Sequence, residues 1–360
     1  MKIRSTFTLL IFAAISIAAN AQNKVKNVIF MIGDGMGLSQ AYAAQTHKGE
    51  QLTLFQFPYV GLVSTYSANN YITDSAAAGT AISSGVKTNN GIIGITPDSL
   101  HHTVSVMEIA KQKGLATGIG VTCTVTHATP AAYYAHQINR GMNEEIASDL
   151  LLSNIDICIG GGRNYFEDRT DKKNLSNLLR ERGYDVVYNL EEATNTSNKR
   201  IIGLLADGEL PTISENRGNM LPQTTGLILN KLDKDNKNGF FVMIEGSQID
   251  WGGHANNEQY IINETIDFDN AVKIAVDFAK KDGNTLVIVT ADHETGGMTL
   301  AGGNIENKIV DSKFSTGNHT ATPVPVYTFG PGAENFTGYF DNTEFKDKII
   351  HLLDLESKRR

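Results

Sequence analysis

Short apolar runs alternate with amphipathic stretches along most of the chain. Six runs are almost wholly apolar, as expected for strands buried on both faces of a parallel sheet. They cover 27–32, 117–122, 156–159, 240–244, 285–290 and 324–329. Between them, apolar residues recur at helical spacing in 104–113, 144–152, 175–182, 224–232 and 260–280. This alternation predicts an α/β fold, a three-layer sandwich in which helices cover both faces of a central, mostly parallel, doubly wound sheet.

The first 21 residues have the pattern of a processing segment. Lys2 and Arg4 precede an apolar run at 7–19, and Ala19-Asn20-Ala21 matches an A-x-A cleavage signal. The run is short for a bilayer span, so a cleaved secretion signal is favoured over a membrane-anchored N-terminus. We therefore expect a periplasmic or secreted protein, cleaved near Ala21 and not attached to a membrane in its mature form. Residues 22–360 are predicted to form a single domain, with a loop-rich surface excursion around 189–219.

The composition narrows the class of protein. Of the 360 residues, 41% are hydrophobic and 19% are charged, which is enough apolar material for a large core and argues against long disorder. The formal charge of −8 and the lack of basic clusters argue against nucleic-acid or membrane-surface binding. Two cysteines exclude a disulfide-rich scaffold. Cys123 and Cys158 lie in apolar, strand-like runs, and the sequence leaves open whether they pair or stay buried thiols.

Acidic residues and a histidine come directly after three of the predicted strands. Asp34 follows the first run, Glu245 the fourth, and Asp292-His293 the fifth. Ligand sites of open parallel sheets lie at the carboxyl ends of the strands, so these side chains should meet at one edge. Such a cluster of acids would repel itself unless two or three cations neutralised it.

Two further features support a metal site. Asp250 and His254 are four residues apart, so both can face one ion across a helical turn, and His319 lies on a glycine-containing loop. Mixed carboxylate and imidazole ligation suits Zn²⁺, whereas Asp34, Glu245 and a hydroxyl suit a harder ion such as Mg²⁺. In proteins generally, a single pair of this kind is more often part of a solvated loop or an ordinary ion pair than a metal site. Their combination at strand ends favours metal binding.

The alanine-rich run after Thr73-Asp74-Ser75 predicts a helix that begins near Ser75. Locally, an N-cap role for one of these three residues is the simpler interpretation. The alternative is a nucleophilic hydroxyl at the positive end of the helix, where backbone N–H groups also attract phosphate. No Gly-x-Ser-x-Gly elbow surrounds Ser75, so a metal rather than a hydrolase triad would have to activate it.

The segment 126–140 contains a third group of candidates. Thr129 before Pro130 is predicted to be an N-cap followed by the first helical residue. His127 alone is interpreted as a structural or supporting residue rather than a ligand. Arg140, about three helical turns further on, is either a surface charge or a bidentate clamp for a tetrahedral oxyanion.

Taken together, these motifs resemble the alkaline phosphatases over residues 27 to about 331. The matching stretches are Asp34-Gly35-Met36-Gly37, Thr73-Asp74-Ser75-Ala76-Ala77, Gly85-Val86-Lys87-Thr88, His127-Ala128-Thr129-Pro130-Ala131-Ala132, 245–250, His254-Ala255-Asn256-Asn257, 290–297 and His319-Thr320. The resemblance implies a central, mostly parallel sheet flanked by helices, usually in a homodimer.

The resemblance also implies a site for three metal ions. The implied ligands are Asp250, His254 and His319 for one zinc ion, Asp34, Asp292 and His293 for a second zinc ion, and Asp34, Thr129 and Glu245 for magnesium. Ser75 matches the nucleophile of the family and Arg140 its phosphate-gripping arginine. His127 and Trp251 stand where the enteric bacterial pattern has Asp and Lys, and they resemble a branch that includes cold-adapted bacterial enzymes.

The implied function is hydrolysis of small phosphate monoesters through a phosphoserine, with a broad substrate range and release of inorganic phosphate. Related metal hydrolases act on phosphodiesters or sulfate esters. Monoesters are favoured here because Arg140 and a third cation together suit a dianionic end group. Outside enzymes, the alternative is a secreted phosphate- or metal-binding protein without turnover.

Overall fold

The computed structural model describes residues 24–356, so the predicted processing segment lies outside the described residues. The strands are β1 Asn27–Gly33, β2 Tyr59–Ser64, β3 Ala116–Thr124, β4 Ile157–Gly161, β5 Asp185–Val187, β6 Ile201–Leu204, β7 Phe240–Gly246, β8 Thr285–Thr290, β9 Glu294–Thr295, β10 Met298–Asn304, β11 Ile309–Phe314, β12 His319–Thr320, β13 Val324–Phe329 and β14 Gly338–Asp341.

The helices connect these strands and cover the sheet. They are α1 Leu38–Lys48, α2 Ser75–Ser84, α3 Val106–Gln112, α4 Ala128–Ala131, α5 Asn143–Ser153, α6 Asn164–Glu167, α7 Leu175–Glu181, α8 Leu190–Asn195, α9 Met220–Asp233, α10 Gln248–His254, α11 Glu258–Asp282 and α12 Glu344–Leu352, with 3-10 turns at Thr53–Gln56, Ile213–Glu215 and Ala333–Phe336. Between residues 24 and 356, no helix combines the length and the apolar character that crossing a membrane requires.

Ten strands form one sheet, in the order β14-β2-β13-β8-β1-β7-β3-β4-β6-β5. Neighbouring strands run parallel except at β13, which is antiparallel to both β2 and β8. The central strands β1, β7 and β8 are buried at every residue, which accounts for their apolar runs. The structure thus confirms the predicted fold class, a mostly parallel central sheet flanked by helices.

Two strands at one end of the sheet escaped prediction. In β2, exposed and buried residues are mixed, and two of the four residues of β14 are exposed. β14 is too short to give a clear pattern, whereas residues 59–63 of β2 form an apolar run that was available in the sequence and was missed.

The stretch around 189–219 differs from the expected loop-rich surface excursion. It contains α8 and also β6, whose four residues are buried between β4 and β5 in the main sheet. The expected surface excursion therefore does not extend over residues 201–204, and the apolar run at 201–206 was the signal that could have shown this. The single-domain organisation of 22–360 stays a prediction.

The two cysteines are buried free thiols rather than a disulfide. Cys123 lies in β3 and Cys158 in β4. Cys158 stands opposite Ile119 of β3, four residues before Cys123, and the register shifts between Gly120 and Thr124. The two cysteines are therefore not cross-strand partners, in agreement with their free thiols.

Candidate active site

The strand register brings acids from three strands to one edge of the sheet. Ile32 of β1 stands opposite both Glu245 of β7 and Thr290 of β8. Asp34 and Asp292 each follow two residues after these positions, beyond the ends of their strands. Asp34, Glu245 and Asp292 are all 0% exposed. The structure therefore brings together the acids that the strand-end pattern singled out.

The turn after Asp34 depends on a glycine. Gly35 has φ +72°, and a Cβ at this position would lie 2.8 Å from the Cα of Asp250. The Gly35 N–H donates to Oδ1 of Asp292 at 3.1 Å. The glycine thus allows two acidic segments to approach closely and supplies a backbone donor to one of the carboxylates.

The first candidate metal group combines α10 with the small β9–β12 pair. Oδ2 of Asp250 lies 3.3 Å from Nε2 of His254, one helical turn later. Nε2 of His319 lies 3.1 Å from Nε2 of His254. The Nδ1 atoms of His254 and His319 face the carbonyls of Gly317 and Thr73, both at 2.8 Å. Because carbonyls only accept, each Nδ1 carries a proton, and each Nε2 is the atom that would bind a zinc ion after losing any proton of its own.

The second candidate group is centred on His293. Its Nε2 lies 3.2 Å from Oδ2 of Asp292 and 3.6 Å from Oδ1 of Asp34. The Oγ of Ser75 lies 3.3 Å from the same nitrogen. Ligand atoms of Asp34, Asp250 and His293 all lie within 4.8 Å of one another, so the first and second groups adjoin. The Ser75 hydroxyl is therefore in contact with a group suited to a cation.

The third group lies deeper, around Glu245 and Asp34. Oγ1 of Thr129 lies 3.5 Å from Oδ2 of Asp34. Thr129 is not an N-cap, so that expectation is wrong. α4 begins at Ala128 with His127 in the cap position, which makes Pro130 the third helical residue. Proline is tolerated there because the first N–H groups of a helix have no intrahelical partner.

The buried carboxylates at this edge are surrounded by too few hydrogen-bond donors. Within the part of the chain that the structure describes, Asp34 Oδ1, Glu245 Oε1 and Asp292 Oδ2 accept no hydrogen bond. Burial and the neighbouring carboxylates raise the pKa of Asp34 well above its usual value. Burial likewise raises the pKa of Glu245 to about 8 and that of Asp292 to about 6.

Asp250 and His254 shift in the directions expected of an ion pair. Although burial opposes it, the hydrogen bond with His254 keeps the pKa of Asp250 below its usual range. The same bond raises the pKa of His254 to about 9. Cations bound at this edge would take the place of these protons and would contact the oxygens that lack a partner. The residues present therefore fit the three-metal site that the resemblance implies.

The local ambiguity at Ser75 is resolved by its neighbour. α2 begins at Ser75, as predicted, and its N-cap is Asp74, whose Oδ1 accepts from the N–H of Ala77 at 3.0 Å. The capping role therefore belongs to Asp74. The Ser75 hydroxyl, 2% exposed, remains available for chemistry next to His293.

Asp74 also orients Arg140. Its Oδ2 accepts from Nη1 of Arg140 at 3.1 Å, and Nη2 lies 3.3 Å from Nε2 of His127. Arg140 lies in a turn and not on a continuous helix, because α4 ends at Ala131. The role of Asp74 as the partner of Arg140 was missed by sequence reasoning. When one oxygen of an aspartate caps a helix, its other oxygen can pair with a cationic side chain. The aspartate at position 74 was therefore the sequence signal for a partner of Arg140.

Three other residues at the site were also missed or left unassigned. Thr295 donates to Oδ1 of Asp250, and its position two residues after His293 could have pointed to it. Trp251 packs edge-to-face on His127 with ring centroids 6.4 Å apart, so the two departures from the enteric pattern touch. Cys123 contacts Glu245 only because β3 pairs with β7, which no local pattern indicates.

The fold and the site together define a class of protein. Adjoining groups of carboxylates and imidazoles lie at the carboxyl edge of an α/β sheet, next to a serine hydroxyl at a helix N-terminus. This arrangement is typical of hydrolases in which metal ions activate a nucleophile.

Comparison with known proteins identifies the family. A family model described as alkaline phosphatase matches residues 25–313. Alkaline phosphatase 3 of Bacillus subtilis is 34% identical, over 94% of this chain and 91% of that protein. The chain therefore belongs to the alkaline phosphatase family, which confirms the resemblance and supports phosphate monoester hydrolysis as its activity.

Solved structures agree with this assignment. The alkaline phosphatase of the Antarctic bacterium TAB5 is 44% identical with a TM-score of 0.88, over 93% of this chain and all of that chain. A TAB5 variant with glutamate in place of a histidine has Mg bound in its M3 site. A cold-active alkaline phosphatase from Shewanella is 29% identical with a TM-score of 0.84, over 91% of this chain and 99% of that chain. The chain thus resembles the cold-adapted bacterial enzymes of the family.

Proposed function

We propose that this chain hydrolyses small phosphate monoesters through a phosphoserine at position 75, with two zinc ions and one magnesium ion as cofactors. The main support is the position of Ser75 Oγ, at a helix N-terminus and 3.3 Å from His293 Nε2, beside two adjoining groups of potential ligands. When bound, the cations would supply positive charge that lowers the pKa of the hydroxyl and stabilises the departing alkoxide.

The proposed ligands are the residues that the sequence predicted. They are Asp250, His254 and His319 for the first zinc ion, Asp34, Asp292 and His293 for the second, and Asp34, Thr129 and Glu245 for magnesium. Support comes from the converging Nε2 atoms of the first group and from the buried oxygens without partners in the other two.

The chain's own residues bind the substrate and form the intermediate. Arg140, oriented by Asp74, pairs with two oxygens of the phosphoryl group. Ser75 Oγ attacks phosphorus in line with the ester oxygen, so an Oγ–P bond forms while the bond to the ester oxygen breaks, and the departing alkoxide takes up the equivalent of the Ser75 proton. Water then attacks the phosphoserine, inorganic phosphate is released and the Ser75 hydroxyl is restored.

The experiment is to trap and to abolish the phosphoserine. Enzyme mixed with a radiolabelled phosphate ester and quenched in acid should retain label on the peptide that contains Ser75. Ser75→Ala should lose orders of magnitude in kcat, while its unfolding free energy changes by no more than about 1 kcal/mol. Ser84→Ala, in the same helix, is the control for altered helix packing.

Two results would contradict the proposal. One is turnover near that of the unaltered enzyme in Ser75→Ala. The other is a preference for a bis-aryl phosphate or an aryl sulfate over an aryl phosphate, which would favour the diesterase or sulfatase alternative.

We further propose that the protein is secreted or periplasmic and forms a homodimer. Support for secretion is the N-terminal sequence pattern, and support for the dimer is the family resemblance. Mass spectrometry of the mature N-terminus and light scattering test these two points.

A further inference from the structure

A buried group of potential metal ligands includes Glu245 and two residues to which the proposed function assigns no role. β3 pairs with β7 so that Val121 stands opposite Glu245, and Cys123 lies two residues further along the same strand. The Cys123 Sγ lies 3.5 Å from Oε2 of Glu245. One ligand atom each from Cys123, His127 and Glu245 lie within 4.8 Å of one another.

Two of these three potential metal ligands have an atom that lacks a hydrogen-bond partner. Glu245 is 0% exposed, and its Oε1 accepts no hydrogen bond from any described residue. The Nδ1 of His127 is also buried and unpaired within residues 24–356. Buried polar atoms without partners cost free energy, and a cation bound by Oε1 of Glu245 would remove that cost at the carboxylate. Coordination by Nδ1 of His127 requires its proton to move to Nε2, which lies 3.3 Å from Nη2 of Arg140, so Arg140 must turn away from the imidazole.

The chemistry of the donors indicates which cations fit. Thiolate, imidazole and carboxylate are the side chains that bind zinc and similar transition metals, whereas Mg²⁺ prefers an all-oxygen shell. We propose that Cys123 gives the third cation pocket a second ligand set, Cys123–His127–Glu245, which binds Zn²⁺ or Co²⁺ in place of Mg²⁺ and releases the thiol proton to solvent. Glu245 belongs to both sets, so the two kinds of ion compete. That a third cation pocket exists rests on the proposed function. The positions of the Cys123 sulfur and the His127 nitrogen are seen in the structure independently of it.

The chain contains its own control for a buried thiol. Cys158, in the neighbouring strand β4, is buried and free like Cys123. In the described part of the chain it belongs to no group of three potential metal ligands. A metal effect specific to Cys123 therefore separates coordination from burial alone.

The test is Co²⁺ titration of the full chain after its metals have been removed by chelation. Bound Co²⁺ is counted by elemental analysis, and the near-ultraviolet charge-transfer band of a Co²⁺–thiolate bond reports coordination by sulfur. We expect the band to appear with the third equivalent of Co²⁺ and to disappear with excess Mg²⁺. Cys158→Ser should retain the band. Cys123→Ser should lose it and bind the third equivalent at least about tenfold more weakly, a loss seen even for residues that only support metal ligands.

Three outcomes would overturn the inference: no thiolate band at any loading, an equal band in Cys123→Ser, or Mg²⁺ binding that leaves the band unchanged. Cys123→Ala replaces Cys123→Ser if the latter does not fold, as judged by circular dichroism. Phosphoserine trapping on the same samples separates the two proposals. A missing band in a protein that still forms phosphoserine contradicts only the thiolate site, whereas a missing phosphoserine contradicts the proposed function.

Discussion

Two of the acidic clusters buried within residues 24–356 have their charge balanced by different means. In the first cluster, Arg217 reaches from the loop after β6 to Glu264 and Asp267 on α11, and its side chain is only 2% exposed. In the second, at the carboxyl edge of the sheet, Asp34 and Asp292 lie side by side, each with a carboxylate oxygen that no described residue bonds.

The difference separates a structural cluster from a binding cluster. Glu264 accepts hydrogen bonds from Arg217 and from the N–H of Ile213. In the first cluster the chain's own arginine therefore balances the acids and links a loop to α11. The second cluster receives no arginine or lysine of comparable burial in the described residues. Its repulsion can be relieved only by protons or by bound cations, which is the property expected of a metal site.

Metal removal should have the largest effect and should act on the second cluster. We expect exhaustive chelation to lower turnover of an aryl phosphate by orders of magnitude and Zn²⁺ with Mg²⁺ to restore it. Each ion present at about a thousand times its Kd should add about 4 kcal/mol to the unfolding free energy, measured by thermal denaturation. Unchanged turnover after chelation would remove metals from the mechanism.

Arg217→Ala should have the next largest effect and should act on the first cluster. It leaves Glu264 and Asp267 buried without their cation, which should cost about 3–5 kcal/mol of unfolding free energy in urea denaturation. Lys273→Ala, which breaks an exposed pair with Asp277, is the control and should cost less than about 1 kcal/mol. A loss that vanishes when the metals are removed would show that the two clusters are not independent.

Arg140→Ala should produce a smaller effect, on binding rather than on stability. The Arg140 side chain is 30% exposed and is paired with Asp74, so the fold depends on it less than on Arg217. Inhibition by inorganic phosphate should weaken by about 10- to 100-fold, as expected for the loss of hydrogen bonds to a charged group. Arg163→Ala, at an exposed pair with Asp207, is the control. An unchanged inhibition constant would place Arg140 outside the phosphate site.

The pH dependence of the metal-free protein should show the most gradual effect. The raised pKa values of Glu245, about 8, and Asp292, about 6, mean that the folded chain holds protons that the unfolded chain, with values near 4, has released. Stability should therefore fall as the pH rises from about 4 to 8. Bound metals should flatten this slope, since they displace the protons. A melting temperature that rises with pH in the metal-free protein would contradict the assignment.

Much of the site was predictable because strand direction and strand ends are local properties. The runs that end at Asp34, Glu245 and Asp292 marked three parallel strands, and parallel strands present their carboxyl ends at one edge. The spacing of Asp250 and His254 was equally informative, since four residues make about one helical turn. These features are visible in the sequence before any packing is known.

Other features depended on packing. The N-cap at Thr129 was wrong because the helix begins two residues earlier than the Thr-Pro pair suggests, and Arg140 was placed on a helix that in fact ends at Ala131. Strand β14 escaped prediction because it has only four residues and two of them are exposed, whereas β2 was missed although residues 59–63 form an apolar run.

Local patterns were thus sufficient for the α/β class and for the acids that meet at one edge of the sheet, since these follow from periodicity and from residue chemistry near each strand end. The family followed from the resemblance of the motifs. Local patterns could not reveal that Asp74 holds Arg140, that Cys123 contacts Glu245, or that Arg217 closes a separate cluster of acids. Each of these contacts joins segments distant in the chain, and their positions are set by strand order and register, which depend on the packing of the whole sheet.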